Sequence, residues 1–443
     1  MIQISFGFLH RKEQAKRSTR EEDKKEQGNR QRQSLLPFAF CLLPFDLPSL
    51  LFAFRMCLLP TAYCLLSSFP CFAQVPPPKP YAAINHDAVS YNGPGRDAGH
   101  DLVGAEIHVG LLLPLSGPRA AEGEALQRAA QMAVDEENTL APAAGHHLRL
   151  VARDESGPWG QASTQVVHMV FDDQAVALIT SAEGDSAHLA EQVGNKIGVP
   201  ILTLSTDSTT TEINLPWIFR MGPTDAMQAH AFAHDIYQNR KLQRVVLLSQ
   251  NDRDGRLGGE AFIKAAGEIN APAPGQVAVD PGKITEAMAA KGIAGAQAVV
   301  IWTDASTASE LAARLREARP AVPVYLCRKA GEGDLSGENR APCAACGPQD
   351  AGPWIAAAPE NPQARAGFSQ GYRRRFGTEP GLGAAEAYDA VRILAASLRQ
   401  SGPNRARLRD ALATVSTFAG ASGIISFDHD GNDLTPVTLI RLY

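Results

Sequence analysis

The chain has 443 residues, 42 Lys and Arg against 47 Asp and Glu, a formal charge of -5, and 44 % apolar residues. That apolar content excludes a disordered chain. The charge balance argues against nucleic acid as a partner, since binders of a phosphate backbone usually carry a basic surplus.

Residues 1–73 differ from the rest. They hold ten of the Lys and Arg, six of the Asp and Glu, and four of the seven cysteines (Cys41, Cys57, Cys64, Cys71), leaving 32 basic against 41 acidic residues in the other 370. Residues 11–33 are charged and Gln-rich. From Ser34 to Ala73 the chain is apolar but interrupted by Pro37, Pro44, Asp46, Pro48 and Arg55, so it lacks the clean run of roughly 20 apolar residues a spanning helix needs. The segment LLPFAFCLLP at 35–44 returns as LLPTAYCLLS at 58–67, and Met56 is a natural alternative start. From Arg55 a charge, an apolar stretch and small residues up to Ala73 resemble a secretory leader cleaved after Ala73, which places the mature protein in the periplasm or outside the cell. A single anchor that stays attached is the other reading. Residues 74–104 form a Pro-rich linker (VPPPKP) and a polar arm.

From Ile107 a regular alternation sets in. IHVGLLLPLS is a continuous apolar run, as expected of a strand covered on both faces. EGEALQRAAQMAVDEEN follows as a helix with Ala125, Ala129, Met132 and Ala133 at helical spacing. LRLVARDE, AVALITS and VPILTLS read as strands, separated by the helices QASTQVVHMVFDD and SAHLAEQVGNKI. After the crossing segment IFRMGPTD the rhythm restarts with a helix DAMQAHAFAHDIYQNR and strand RVVLLSQ. It continues through GEAFIKAAGEI, QVAVD, ITEAMAAKGI, AQAVVIWT, ASELAARLREA and VPVYLC. Two such series predict an α/β protein with two doubly wound lobes, whose default site is the cleft beyond the strands' carboxyl ends.

The segments GLLLPLSGPRAAEG, IGVPILTLSTDSTTTEI, WIFRMGPTD, YRRRFGTEP, AEAYDAV and GASGIISFDHDGN occur in that order. Together they resemble the type I periplasmic substrate-binding proteins, specifically the leucine/isoleucine/valine-binding group that serves ABC transporters, over about residues 105–443. The resemblance implies two Rossmann-like lobes joined by three crossovers, near Gly222, Gly352 and Ala419. Lobe 1 would be 105–222 plus 352–418, and lobe 2 would be 223–351 plus 419–443. It implies capture of a small molecule by hinge closure, with no catalytic residue and no cofactor, and an ABC permease as membrane partner.

Carried over position by position, the loop after the third strand falls at Ala182–Ala187, with Gly184 where the family keeps a serine. Asp185 and Ser186 lie at a helix start that favours an anionic group, or else simply cap it. Ser208 and Thr209 match a pair that holds the ligand's carboxylate and ammonium. Other positions depart: Glu122, Asp254 and Thr307 stand where the family has aromatic residues. Arg328, followed by Lys329, stands near the acid that pairs the ligand's ammonium. An Arg fork there would favour a second carboxylate or a phosphate. The expected ligand is therefore a small amino-acid-like or carboxylate metabolite. A ligand sensor that signals to a partner protein is the alternative on the same fold.

Other signals carry less. Cys343 and Cys346 have the spacing of half a zinc site, but no second pair accompanies them, so a disulfide among Cys327, Cys343 and Cys346 is the expectation. Asp428–Asp433 looks like a calcium loop without its downstream Glu and reads as a turn. No metal site, phosphate-binding loop or hydrolase nucleophile motif is expected.

Overall fold

The structure is a computed structural model that describes residues 91–212, 215–290, 292–331, 352–357 and 361–441. The leader with its repeat and cleavage point, and Cys343 and Cys346, lie outside the described residues.

In the first lobe β1 (Glu106–Leu113), β2 (His147–Asp154), β3 (Ala177–Thr180), β4 (Ile201–Thr203) and β5 (Ile218–Arg220) form a parallel sheet ordered β2-β1-β3-β4-β5. The apolar run of β1 follows from burial on both faces: Leu111 and Leu113 face one core cluster, Leu112 the other. Each such leucine contributes about 1.5–3 kcal/mol by leaving water. Helices α1 (Ala120–Leu140), α2 (Gln161–Phe171) and α3 (Gly184–Ile197) connect the strands. Helix α3 ends at Gly198, whose φ of +77° gives the left-handed stop that glycine adopts without cost.

The chain crosses at 221–224 and builds a second sheet from β6 (Val245–Gln250), β7 (Gly275–Val279), β8 (Ala298–Trp302), β9 (Val324–Leu326) and β10 (Trp354–Ala357). Its helices are α4 (Asp225–Ala233), α5 (Arg253–Glu268), α6 (Ile284–Met288) and α7 (Ala305–Ala318). Thr224, Asp252 and Asp304 cap α4, α5 and α7 by accepting from the backbone N–H three residues on. Helix α5 therefore starts six residues earlier than its apolar pattern suggests, and Asp254 lies in its first turn rather than before it. ITEAMAAKGI is helical only as far as Met288, and the chain turns at Gly292 with φ +105°.

The expected lobe boundaries and the observed pairing differ in two places. β10 pairs with β9 in parallel and with the C-terminal strand β13 (Thr438–Arg441) in antiparallel, so residues 354–357 belong to the second sheet, and the return to the first lobe comes after Ala357, not near Gly352. Helices α8 (Pro362–Phe376), α9 (Leu382–Ser401) and α10 (Arg405–Leu412) then rejoin the first lobe, where α9 packs on α1 through Tyr388–Glu136 and Arg399–Glu137. The two short strands β11 (Phe418–Ala419) and β12 (Ile424–Ile425) stay there too. Asp389 accepts from the N–H groups of Ala421 and Ser422, and Ala421, Ile425 and Phe427 enter the first core. The last crossing thus follows Phe427 rather than Ala419. Asp428–Asp433 forms the expected turn, with Asp428 accepting from the N–H groups of Asp430 and Asn432.

Residues 91–104 pack on the first lobe. Arg96 bonds Asp410, Asp101 bonds Arg407 and Asn404, and the Tyr91 ring meets Trp217 edge-on at 4.6 Å. Cys327 carries a free, buried thiol that donates to the Thr303 carbonyl, and burial pushes it up to about 12. The expected disulfide therefore does not involve Cys327.

Candidate functional site

Both parallel sheets aim their strand carboxyl ends at one cleft. The first lobe presents the loops after β1 (114–119), β2 (155–160), β3 (181–183) and β4 (204–211). The second presents those after β6 (251–252), β8 (303–304) and β9 (327–331). Loops gather there because the right-handed crossover returns every helix to the opposite end of the sheet.

At the centre the lobes meet through ions. Lys329 Nζ bonds Asp254 at 2.8 Å within its own lobe and Glu183 at 3.0 Å across the cleft. Asp254 also accepts from the Gly184 N–H at 3.2 Å, and a Cβ at Gly184 would lie 2.5 Å from that carboxyl, so only glycine admits the approach. Arg253 bonds Asp207 and donates to Thr209 Oγ1 at 3.1 Å. Burial alone would raise the Asp254 carboxyl, but the Lys329 ammonium outweighs it and holds it below its usual range. Burial would likewise lower Lys329, and its two carboxylates hold it well above the ordinary lysine value instead. Glu183 shares that one ammonium, and for it burial wins, so it is raised. The void left among Thr206, Asp254, Trp302 and Lys329 is about 10 Å³, at the limit for one water.

Beside this seam opens a cavity of about 1080 Å³ with walls from both lobes. Arg119 sits at its inner edge, bonded to Glu122 at 2.6 Å and to Glu183, with Glu155 at 3.8 Å. Glu155 is 92 % buried; its Oε1 accepts from Ser181 Oγ at 2.6 Å while Oε2 has no partner. Burial, only partly offset by Arg119 and Ser181, pushes its carboxyl up to about 7. Trp159 stands on the rim, 89 % exposed, in the loop Gly157-Pro158-Trp159-Gly160.

Of the residues singled out in the sequence, Glu122, Asp185, Ser186 and Thr307 line this cavity. Gly184 and Asp254 lie in the ionic seam, and Thr209 beside Asp207, where its N–H and hydroxyl both donate to the carboxylate. The Ser208 carbonyl accepts from Arg220 at 3.3 Å. Thr307 donates its N–H to Asp304 as part of the α7 cap. Arg328 corrects an expectation. Its Nη2 bonds Glu386 of α9 at 2.5 Å, and it is not among the residues that line the cavity. Lys329, one residue on, is the cation that faces the cleft.

Glu155 and Trp159 on the cavity escaped the sequence reading, and so did two groups behind it. Arg220, fully buried, donates to the carbonyls of Ser205 and Asp207 and to the hydroxyls of Thr210 and Thr211 at 2.8 and 2.9 Å, and so shapes the whole loop after β4. His188 lies between Glu191 at 3.1 Å and Asp207 at 3.3 Å. Burial works against its charge, but those carboxylates raise it to about 9. A lone Arg inside the apolar segment WIFRMG was the available signal for the first. For His188 there was none, because Asp207 is brought to it only by the fold.

The family model described as periplasmic binding protein matches residues 106–442. The chain belongs to the periplasmic binding protein family. The Leu/Ile/Val-binding protein BraC3 of Rhizobium johnstonii is 26 % identical over 161 residues, which are 36 % of this chain and 44 % of that protein. The matched stretch thus spans less than half of that relative. Among solved structures, the substrate-binding protein LivJ of Streptococcus pneumoniae in complex with isoleucine superposes with a TM-score of 0.63 at 20 % identity, covering 76 % of this chain and 96 % of LivJ. A solute-binding protein of an ABC transporter from R. palustris in complex with benzoate gives 0.66 at 20 % identity over 76 % and 93 %. At that identity the likeness establishes the fold: two Rossmann-like lobes with a cleft between them, as in type I binding proteins.

Proposed function

We propose that this periplasmic binding protein is an exported, non-enzymatic carrier that captures a small amino-acid-like or carboxylate metabolite by hinge closure and delivers it to the membrane permease of an ABC importer. The observation that carries the reading is the cavity of about 1080 Å³ walled by the strand-end loops of both lobes. A ligand there touches both halves, so its binding free energy favours the closed arrangement over the open one. Support for the ligand class comes from relatives whose names and bound molecules are branched-chain amino acids and an aromatic acid. The hinge has a matching feature: Gly222, in the first crossing, has φ +91°, and a Cβ there would come within 2.5 Å of Glu386, the partner of Arg328 across the lobes.

The test is thermal unfolding of the full-length chain against amino acids, amides, dicarboxylates and aromatic acids. A ligand at a hundred times its dissociation constant adds about 2.7 kcal/mol, a readily measured rise of the midpoint. Small-angle scattering of the same samples should show a smaller radius of gyration with the active compound. A panel that leaves both readouts unmoved overturns the carrier reading and favours a sensor that acts through a protein partner.

A further inference from the structure

The charges around the cavity are lopsided. Seven carboxylates border it against two guanidinium groups, Arg119 and Arg128. Most of the acids are answered: Glu122 and Glu183 by Arg119, Glu124 by Arg128, Asp185 by Arg253 at 3.5 Å, Glu379 by Arg373, and Asp304 by the α7 N-terminus. Glu155 is not. Arg119 stands 3.8 Å from its Oε1, a hydroxyl supplies one hydrogen bond, and Oε2 is buried without a partner. A buried carboxylate oxygen left unbonded costs on the order of 1–3 kcal/mol, so it marks a place where a donor is missing.

A second, independent feature lies on the same cavity. Trp159 is a large aromatic ring held in water by a loop whose Gly157 and Gly160 both have positive φ. An exposed indole facing an acid-lined cavity is the side chain that best holds a cation over its face. The cation nearest the centre of the cleft, Lys329, is itself bonded to Asp254 and Glu183. A free anion entering the cavity would find no unpaired cation among the described residues that line it.

We propose that the ligand of this cleft carries a net positive charge, on an ammonium, amidinium or quaternary ammonium group that no carboxylate of its own offsets, with Glu155 as its buried counter-ion and Trp159 closing over it. The proposal rests on the carrier reading and gives its substrate class. The groups facing Glu155 are Arg119 and Glu122 from the start of α1, and Ser181 and Glu183 from the loop after β3. Because burial raises Glu155 to about 7, cation binding draws a proton off it, and affinity weakens by about tenfold from pH 8 to pH 6.

The experiment is calorimetric titration of the full-length chain with lysine, arginine, putrescine, agmatine and choline, beside leucine, glutamate and benzoate, at pH 8 and pH 6. We expect at least one cation to bind, to perturb tryptophan fluorescence, and to lose roughly ten- to hundredfold in affinity in Glu155→Gln. Gln keeps the shape and the acceptor for Ser181, so its fold is checked by melting; should it not fold, the pH dependence of the unaltered protein decides. Binding of leucine, glutamate or benzoate with no cation bound overturns this proposal and leaves the carrier reading standing. Cation binding that ignores both pH and Glu155→Gln overturns the assignment of Glu155. Failure of every compound overturns both.

Discussion

Replacing Lys329 by Met keeps most of the unbranched apolar stem and removes the ammonium that joins Asp254 to Glu183 across the cleft. Glu183 retains Arg119, so the loss falls mainly on Asp254, which keeps the Gly184 N–H and the more distant Arg253 at 3.9 Å. Breaking a buried pair from one side costs about 3–5 kcal/mol. With 13 % of the Asp254 side chain and 25 % of Glu183 still exposed, about 3 kcal/mol is the expected loss at neutral pH. The stranded carboxyl takes up a proton as pH falls, so the difference between variant and parent should shrink toward acid pH. Urea unfolding followed by both tryptophan fluorescence and circular dichroism measures the loss and checks that the lobes unfold together. Scattering in the same buffer reports whether the lobes part. The double variant Lys329→Met/Asp254→Asn should recover most of the loss, since it removes the orphaned charge as well. A loss under about 1 kcal/mol, with an unchanged radius, would falsify the seam as the element that holds the lobes together.

His188 gives a pH dependence of definite sign. Its folded-state value of about 9 lies above that of a free imidazole, so its contribution is complete below about pH 6.5 and is lost as pH rises through 9. On the order of 2 kcal/mol should disappear over that window, and His188→Gln should flatten the melting-temperature profile there; an unaltered slope would refute the pairing. Arg220→Ala should cost at least 3 kcal/mol and expose residues 205–211 to proteolysis, because it strips the donor from three carbonyls, two hydroxyls and the Asn432 side chain at once. Arg220→Lys should restore little of this, since a single ammonium cannot span those acceptors; full recovery in limited proteolysis would show that charge alone suffices.

Much of the architecture was legible along the chain. Strands such as GLLL in β1 and AVVIW in β8 are apolar throughout because both faces are covered, and that signature is local. So is the helical spacing of α1 and the Gly-Pro break at the first crossing. The short strands were less readable. Trp354–Ala357 has four residues, and whether it continues the second sheet depends on hydrogen bonds to β9 and β13, which no local pattern encodes.

The site divides the same way. Positions carried over from the family resemblance included Glu122, Asp185, Ser186 and Thr307, and these four line the cavity at the strand ends, where a doubly wound sheet keeps its cleft. The choice between Arg328 and Lys329 was beyond that method. Adjacent residues leaving a strand point to opposite sides, and the local backbone decides which one faces the cleft. Glu155 looked like one acid among several in ARDES; its unsatisfied oxygen exists only because β1, β3 and α1 close around it. What the sequence determined by itself was periodicity, and hence the lobes and the location of their cleft. The tertiary structure decided which charges meet there, because partners such as Glu183 and Lys329 lie 146 residues apart and are joined only once both sheets have folded.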